Sequence, residues 1–410
     1  MSLNEQRLTG QMAKMPWSGR LLVNLLSRIS TGSLKLVDPH GIELMLGQSA
    51  SDLSGALLHA ELRIHDWRAA SLMMRQGDVG FAESLRRGWV DSPDLVALFT
   101  LAIRNEQISE AVDGHWWALL LKRLSHWILK DNSRAGSRRN ILSHYDVGNP
   151  FYRLWLDPSM TYSAGLFEGD VARELEVSQD AKYDRILDEL QAQPGQTILE
   201  VGCGWGGFAE RAARRGLNVV GITLSDAQLE WATKRMRDAG LSERVNLRLQ
   251  DYRDVPEQFD HIVSIEMFEA VGLLHWPGYF QMLSRCLKPG GKIVVQTIDI
   301  TEERFDAYRR GTDFIQQYIF PGGMLPSPSR FKKESEAAGL NVLNMHGFGQ
   351  DYAETLKRWA HRFENSLTQI REQGYDDAFI RVWRMYLAYC EVGFRQARTD
   401  VKQWTLCAKS

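Results

Sequence analysis

The amino-acid sequence predicts an α/β fold: a mostly parallel sheet with helices on both faces, preceded by a smaller α+β domain. Two observations carry the main part. The run Thr197-Ile198-Leu199-Glu200-Val201 breaks into Gly202-Cys203-Gly204-Trp205-Gly206-Gly207, and a helical pattern from Phe208 to Ala213 follows at once. That is a buried strand, a tight glycine turn and a helix N-terminus, an arrangement that turns backbone N–H groups toward a ligand. Beyond it, strand-like and helix-like stretches alternate as far as residue 298, the mark of βαβ units and a parallel sheet. A third observation separates the N-terminal part, which shows a hairpin and helices without that alternation.

In chain order, Leu21 to Leu26 is a short amphipathic run that reads as a packing helix, with contact to a lipid surface as the alternative. Residues 33–37 and 42–46 flank Asp38-Pro39-His40-Gly41, two alternating strands about a turn. Residues 60–105 read as mixed and largely helical, with Pro93 of Ser92-Pro93-Asp94-Leu95 at a first-turn position. Between 122 and 139, Lys122, Arg123, Lys130, Arg134, Arg138 and Arg139 face one acid, Asp131. This basic linker is either solvated or a patch for phosphate headgroups, and Trp116, Trp117 and Trp127 beside it suit an interface or a core. His144 to Asn149 and Met160 to Gly165 mix hydrogen-bonding groups with glycine, as loops over a site do. A helix over 181–190 closes at Pro194-Gly195. Strands follow over 217–224, 245–249, 259–265 and 292–298, with helices over 225–239 and up to 287 between them. Two long helical stretches, 352–373 and 377–397, precede a last strand over 401–407. The expected division is an N-terminal α+β domain over 1–120, a basic linker over 121–140 and the α/β domain over 141–410.

A chain of 410 residues can bury a large core, and 44% apolar with 24% charged content is that of a globular protein. The formal net charge of −2 provides no global attraction to nucleic acid or anionic membrane. The four cysteines (Cys203, Cys286, Cys390, Cys407) lie far apart, which argues against a disulfide framework and against a metal site. No stretch approaches the roughly 20 apolar residues of a membrane span, and the polar start lacks a signal-peptide core. A cytoplasmic location is the expectation.

Ligands of open α/β sheets bind beyond the carboxyl ends of the strands. Gly202-x-Gly204-x-x-Gly207 alone would also fit a dinucleotide, but Glu200 stands before the glycines, where a carboxylate suits the ammonium of S-adenosylmethionine. The second strand ends at Thr223 and Leu224, without the carboxylate a nicotinamide dinucleotide would need for its ribose. Ser225-x-x-Gln228 is a capping box, and Gln228 also suits a ribose contact. Gln250 and Asp251, after the third strand, suit the adenine amino group. The fourth strand runs into Glu266-Met267-Phe268-Glu269, and Glu269, a carboxylate in a poorly solvated place, is the candidate catalytic acid or base. Gln296 at the end of the fifth strand and Tyr352 of Gly349-Gln350-Asp351-Tyr352 aim at the same crevice.

As an ordered set, seven motifs resemble those of the cyclopropane-fatty-acyl-phospholipid synthase family over roughly residues 140–408. They are His144 to Asn149, Leu199 to Gly207, Thr223 to Ser225 with Gln228, Gln250 to Arg253, Met267 to Glu269, Tyr318 to Gly323 and Gly349 to Tyr352. The resemblance implies a Rossmann-like class I methyltransferase. It would methylate the cis double bond of an unsaturated phospholipid acyl chain from S-adenosylmethionine, leaving a carbocation whose proton a bound bicarbonate removes as a cyclopropane ring closes. By the same resemblance Glu269, Tyr352 and the Ala164 backbone hold bicarbonate, and Tyr162 and Ser163 meet the methyl donor. The family histidine of the fifth-strand motif is Gln296 here, and the one that usually follows the glutamate is Ala270. Glutamine donates a hydrogen bond but carries no charge and exchanges no proton. The alternative product is therefore a methylene or methyl-branched chain, and a soluble small molecule is the alternative acceptor. The implied partner is phospholipid met peripherally at the inner face of the cytoplasmic membrane, with a homodimer as a further expectation. Nucleic acid is disfavoured by the near-neutral charge.

Overall fold

The computed structural model describes residues 15–47, 58–107 and 147–409, which fall into two compact units. The first unit takes the two N-terminal stretches and adds Gly311–Tyr318 and Gly374–Val392 from far along the chain. The second takes 147–310, Ile319–Gln373 and 393–409. The basic segment 122–139, Trp116, Trp117, Trp127 and most of the His144 motif lie outside the described residues.

In the first unit, helix α1 (Trp17–Leu26) precedes β1 (Ser33–Val37) and β2 (Glu43–Gly47), the expected antiparallel hairpin. β3 (His59–Ile64) then pairs parallel with β1, and short β4 (Val90–Asp91) closes the order β2-β1-β3-β4. β3 falls where the sequence reads as the start of a largely helical stretch. The deciding signal is its period of two: Ala60, Leu62 and Ile64 point into the core while Glu61 and Arg63 point away. Helix α2 (Arg68–Arg86) is interrupted at Gly77, where φ is 58°. Helix α3 (Leu95–Arg104) begins one residue past Asp94, whose carboxylate accepts the Ala97 N–H at 2.9 Å. Pro93 thus precedes the cap instead of occupying the first turn. The late segments are bound by rings and hydrogen bonds: Phe314 and Phe99 both meet Tyr389 edge-on, and the Tyr318 hydroxyl donates to Glu83 at 2.8 Å.

The second unit is built on a seven-stranded sheet of order β10-β11-β9-β8-β5-β6-β7. Its strands are β5 (Thr197–Val201), β6 (Asn218–Thr223), β7 (Val245–Leu249), β8 (Phe259–Ile265), β9 (Leu287–Ile300), β10 (Leu340–Gly347) and β11 (Thr399–Ala408). β5 to β9 are parallel, and β11 runs antiparallel between β9 and β10. Consecutive residues feed opposite faces. Ile198 and Val294 join a core with helices α5 (Leu175–Leu190) and α6 (Gly207–Arg214), beyond the short α4 (Asn149–Trp155). Leu199, Ile293 and Val295 join an aromatic core with Phe268, Trp276, Phe280 and Trp404, around α8 (Trp276–Cys286), which follows α7 (Asp226–Asp238). Continuous apolar strands are what a sheet buried on both faces requires. Helices α9 (Glu302–Tyr308) and α10 (Pro328–Ala337) lead to β10, and α11 (Gly349–Asn365) and α12 (Leu367–Glu372) follow it; α13 (Asp377–Arg395), which lies in the first unit up to Val392, precedes β11 in the chain.

Candidate functional site

The glycine turn after β5 has the expected geometry. Gly202 has φ +84°, and a Cβ there would come within 2.7 Å of the Met267 side chain. Gly204 has φ +50° with nothing within 4 Å of where a Cβ would stand, so its backbone borders open space. Glu200 is only 3% exposed, and its Oε2 has no hydrogen-bond partner among the described residues. Burial holds its carboxyl well above the usual range, opposed by Arg235 and Lys182. An orphaned buried carboxylate oxygen is costly unless a ligand donor meets it. The ammonium of S-adenosylmethionine fits that need.

At the end of β6, Ser225 caps α7 by accepting the Gln228 N–H, and the Thr223 hydroxyl donates to Gln228 Oε1 at 2.9 Å. Leu224 lies between them, part-buried. Asp251 is turned onto Arg253, accepting from its backbone and its guanidinium, while Gln250 Nε2 donates to the Asp254 carbonyl.

Residues 162–168 form a loop drawn onto α5 and α11. Lys182, fully enclosed, donates to Ser163 Oγ and to Gln179 Oε1, and Gln179 Nε2 donates to the Ser163 carbonyl at 2.9 Å. The Gly165 N–H donates to Thr355, and the Phe167 and Glu168 N–H groups donate to Asp351. The loop is thereby held rigid with the Ala164 N–H pointing inward.

Ala164, Gln296 and Tyr352 do come together, and the group on which they meet is Glu266. Glu266 Oε1 accepts from the Ala164 N–H at 3.0 Å and from Gln296 Nε2 at 2.7 Å, and Oε2 accepts from the Tyr352 hydroxyl at 2.7 Å. The Glu266 N–H also donates to the Gln296 carbonyl at 2.8 Å. Glu266 sits one residue past β8 at φ 49°, a left-handed conformation that a side chain rarely adopts. Burial raises its carboxyl, and Lys182, Tyr352, Ala164 and Gln296 pull it back.

The Gln296 amide is oriented by a relay that motif reading does not contain. Arg185, which can only donate, bonds Gln403 Oε1 at 2.6 Å, and Gln403 Nε2 donates to Gln296 Oε1 at 3.0 Å. The Gln296 NH2 must then face Glu266. Gln403 and Gln296 are direct partners in the β11–β9 register, a pairing visible only once that antiparallel strand is placed.

Glu269 stands apart from this meeting of donors. Its Oε1 accepts the Ile298 N–H at 2.6 Å, and its Oε2 has no partner among the described residues. Burial, with Glu266 beside it, pushes its carboxyl up to about 8, so it is neutral at pH 7. The bicarbonate implied by the sequence does not fit this arrangement. The Ala164 N–H, the Gln296 amide and the Tyr352 hydroxyl are spent on the Glu266 carboxyl of the chain itself, and a bicarbonate held by the same three donors would have to displace it.

Aromatic rings pack in a continuous cluster next to these groups. Tyr162 lies 5.4 Å from Trp155 and from Trp359 and 5.5 Å from Tyr152, centroid to centroid, and Tyr152 lies 5.2 Å from Trp205 of the glycine turn. Tyr352 presents its edge to Trp359 and stacks on Phe394 at 4.4 Å. The ring contacts thus run from the glycine turn to the hydroxyl that holds Glu266.

Residues 132–404 match the profile of the mycolic acid cyclopropane synthetase family. The chain is 39% identical over 349 residues to a tuberculostearic acid methyltransferase of Mycobacterium tuberculosis, covering 81% of this chain and 79% of that one. It is 35% identical to the cyclopropane-fatty-acyl-phospholipid synthase of Escherichia coli over 358 residues, 84% of this chain and 86% of that one. Among solved structures, a mycolic acid cyclopropane synthase complexed with S-adenosylhomocysteine and CTAB superposes with a TM-score of 0.61 at 32% identity, covering 66% of this chain and 97% of that one.

Proposed function

The chain belongs to the mycolic acid cyclopropane synthetase family and is an S-adenosylmethionine-dependent methyltransferase of the fatty acid and cyclopropane synthase type, and from that premise we propose that it methylates the cis double bond of an unsaturated phospholipid acyl chain. The observation that carries this reading is the contiguous cluster of the Tyr152, Trp155, Tyr162, Trp205 and Trp359 rings, which joins the glycine turn to Tyr352 and the Glu266 cluster. An alkene methylated at one carbon becomes a cation at the other. Aromatic faces attract such a charge without reacting with it, each contributing on the order of 1–2 kcal/mol in a dry site.

In this reading Glu200 meets the donor ammonium, with Gly202 and Gly204 giving the backbone its close approach. Thr223, Leu224, Gln228, Gln250 and Asp251 border the nucleoside, and Tyr162 and Ser163 lie on the methyl side. Tyr352 and Gln296 orient the carboxylate cluster past β8, and Glu269, held neutral, lowers the local negative charge. The product we favour is a methylated chain without a ring. Gln296 stands where the resemblance expects histidine, its amide is fixed on Glu266, and relatives include fatty acid methyltransferases of Mycobacterium tuberculosis and Pseudomonas putida. Closure to a cyclopropane is the second reading, favoured by the likeness to the Escherichia coli synthase.

The test is incubation with S-adenosylmethionine and monounsaturated phospholipid vesicles, then mass spectrometry and proton NMR of the released chains. Gain of one CH2 unit with vinylidene protons is expected. The same gain with upfield ring protons selects the cyclopropane, and no gain with the donor bound overturns the acyl acceptor.

A further inference from the structure

The methylation leaves a proton to be removed, and nothing so far assigns the group that takes it. Glu269 is held neutral near pH 7 and turned onto the Ile298 N–H. Burial raises the Glu266 carboxyl too, against the pull of Lys182, Tyr352, Ala164 and Gln296, but its geometry is different. Its two oxygens receive three donors, from loop 162–168, β9 and α11. A carboxylate offers about four lone-pair sites. Oε1 has two of its sites filled and Oε2 one, so one site of Oε2 is open.

The placement is itself expensive. A side chain at positive φ costs about 1–2 kcal/mol, and a half-enclosed carboxylate beside another acid adds desolvation and repulsion. Structures keep such a conformation where the surroundings over-determine it, typically at functional sites. Here they do so from both ends of the residue, since the Glu266 N–H and carboxylate are both tied to Gln296.

We propose that the Glu266 carboxylate is the base of the reaction, a tethered oxyanion in the place where a diffusible bicarbonate would otherwise be held. The proposal rests on the acyl-methylation reading above. The π electrons of the double bond form the new C–C bond to the methyl group, the S–CH3 electron pair leaves with S-adenosylhomocysteine, and the chain carries the positive charge. A 1,2-hydride shift brings the charge to the methylated carbon, the open lone pair of Oε2 takes one proton from the new methyl group, and the electrons of that C–H bond become the new C=CH2 bond. Without the shift, loss of the same methyl proton supplies the electron pair that closes a ring; either way the chain is neutral. Glu266 then holds one proton, which passes to water on product release. No oxidant, reductant or second anion enters.

The decisive experiment measures single-turnover methylation of monounsaturated phospholipid vesicles in buffer stripped of carbon dioxide, with and without added bicarbonate. Wild type is expected to run at the same rate in both. Glu266→Gln, of equal size and unable to accept a proton, is expected to lose roughly 100-fold or more with donor affinity within twofold by calorimetry. Glu266→Gly relieves the positive φ and empties the cradle of Ala164, Gln296 and Tyr352. Checked for folding by thermal melt, it is expected to be slow alone and to recover saturably with bicarbonate or formate. Dependence of wild type on bicarbonate, retention of rate by Glu266→Gln, or a folded Glu266→Gly that no small oxyanion rescues would each overturn the proposal. A wild type that binds donor yet methylates no acyl chain overturns the functional reading and the proposal with it. An active wild type with an equally active Glu266→Gln overturns the proposal alone.

Discussion

Gln403→Glu separates the relay behind Gln296 from mere packing. Glutamate keeps the size of glutamine and keeps its acceptor on Arg185, now as a charge-assisted bond, but the oxygen facing Gln296 can no longer donate. Gln296 Oε1, now 3.0 Å from Gln403 Nε2, would meet an anionic oxygen. Its amide is expected to turn over, giving NH2 to residue 403 and pointing its oxygen at Glu266 Oε1, 2.7 Å from the present Nε2. Losing a buried donor to a charged acceptor costs about 1–3 kcal/mol, or roughly 5- to 150-fold in rate if felt only in the transition state. Gln403→Leu removes the donor without forcing the turn, so Gln296 can keep its orientation. The order expected in single-turnover rates is wild type, then Gln403→Leu, then Gln403→Glu, whereas the thermal melts should rank Gln403→Glu above Gln403→Leu because Arg185 keeps its partner. Donor affinity should be unchanged in both. If Gln403→Glu is as fast as Gln403→Leu or faster, the amide orientation does not act on the reaction and the relay is only structural.

Three further outcomes follow from the charges of the site. Lys182 pulls the Glu266 carboxyl down, so Lys182→Met should move the acid limb of the kcat profile to higher pH, while a shift to lower pH contradicts that coupling. Glu269 is raised from 4.5 to about 8; the unfolded chain ionises first, so this residue lowers stability as pH climbs through that window, by at most roughly 1.4 kcal/mol per unit. Glu269→Gln removes the effect, and its melting temperature relative to wild type should rise across the window; a flat difference refutes it. Glu200→Gln should weaken donor binding by roughly 10- to 100-fold in calorimetry, the loss of a charge-assisted bond of about 1.5–3 kcal/mol, with a smaller change in kcat at saturating donor.

The sheet was legible because its signals are local. β5 and its glycine turn, β7 and β8 fall where apolar runs and breakers put them, and consecutive residues such as Ile198 and Leu199 serve opposite faces as a doubly covered sheet requires. β3 was obscured because a short, charged, alternating strand next to a long helix carries a weak period. β10 was missed for a similar reason: it is an edge strand with Leu343 and Met345 exposed, and its alternation does not resemble a buried run. The late segments 311–318 and 374–392 join the first unit through rings and long-range hydrogen bonds, and sequence order holds no trace of that return.

Within the site, Ala164, Gln296 and Tyr352 were each readable from a motif, but the carboxylate they share was not. Two glutamates follow β8 three positions apart, and both are enclosed acids beyond a strand end. The one that meets the donors is Glu266, whose backbone stands at φ 49°. No propensity forecasts that conformation for glutamate, since the residue itself disfavours it. It is imposed by partners 102, 86 and 30 positions away, none of which would meet without the sheet and the loop 162–168. Under the proposal that Glu266 is the base, glutamine can stand at 296 where the resemblance expects histidine, because that position needs to supply only an oriented N–H, and Gln403 with Arg185 supplies the orientation.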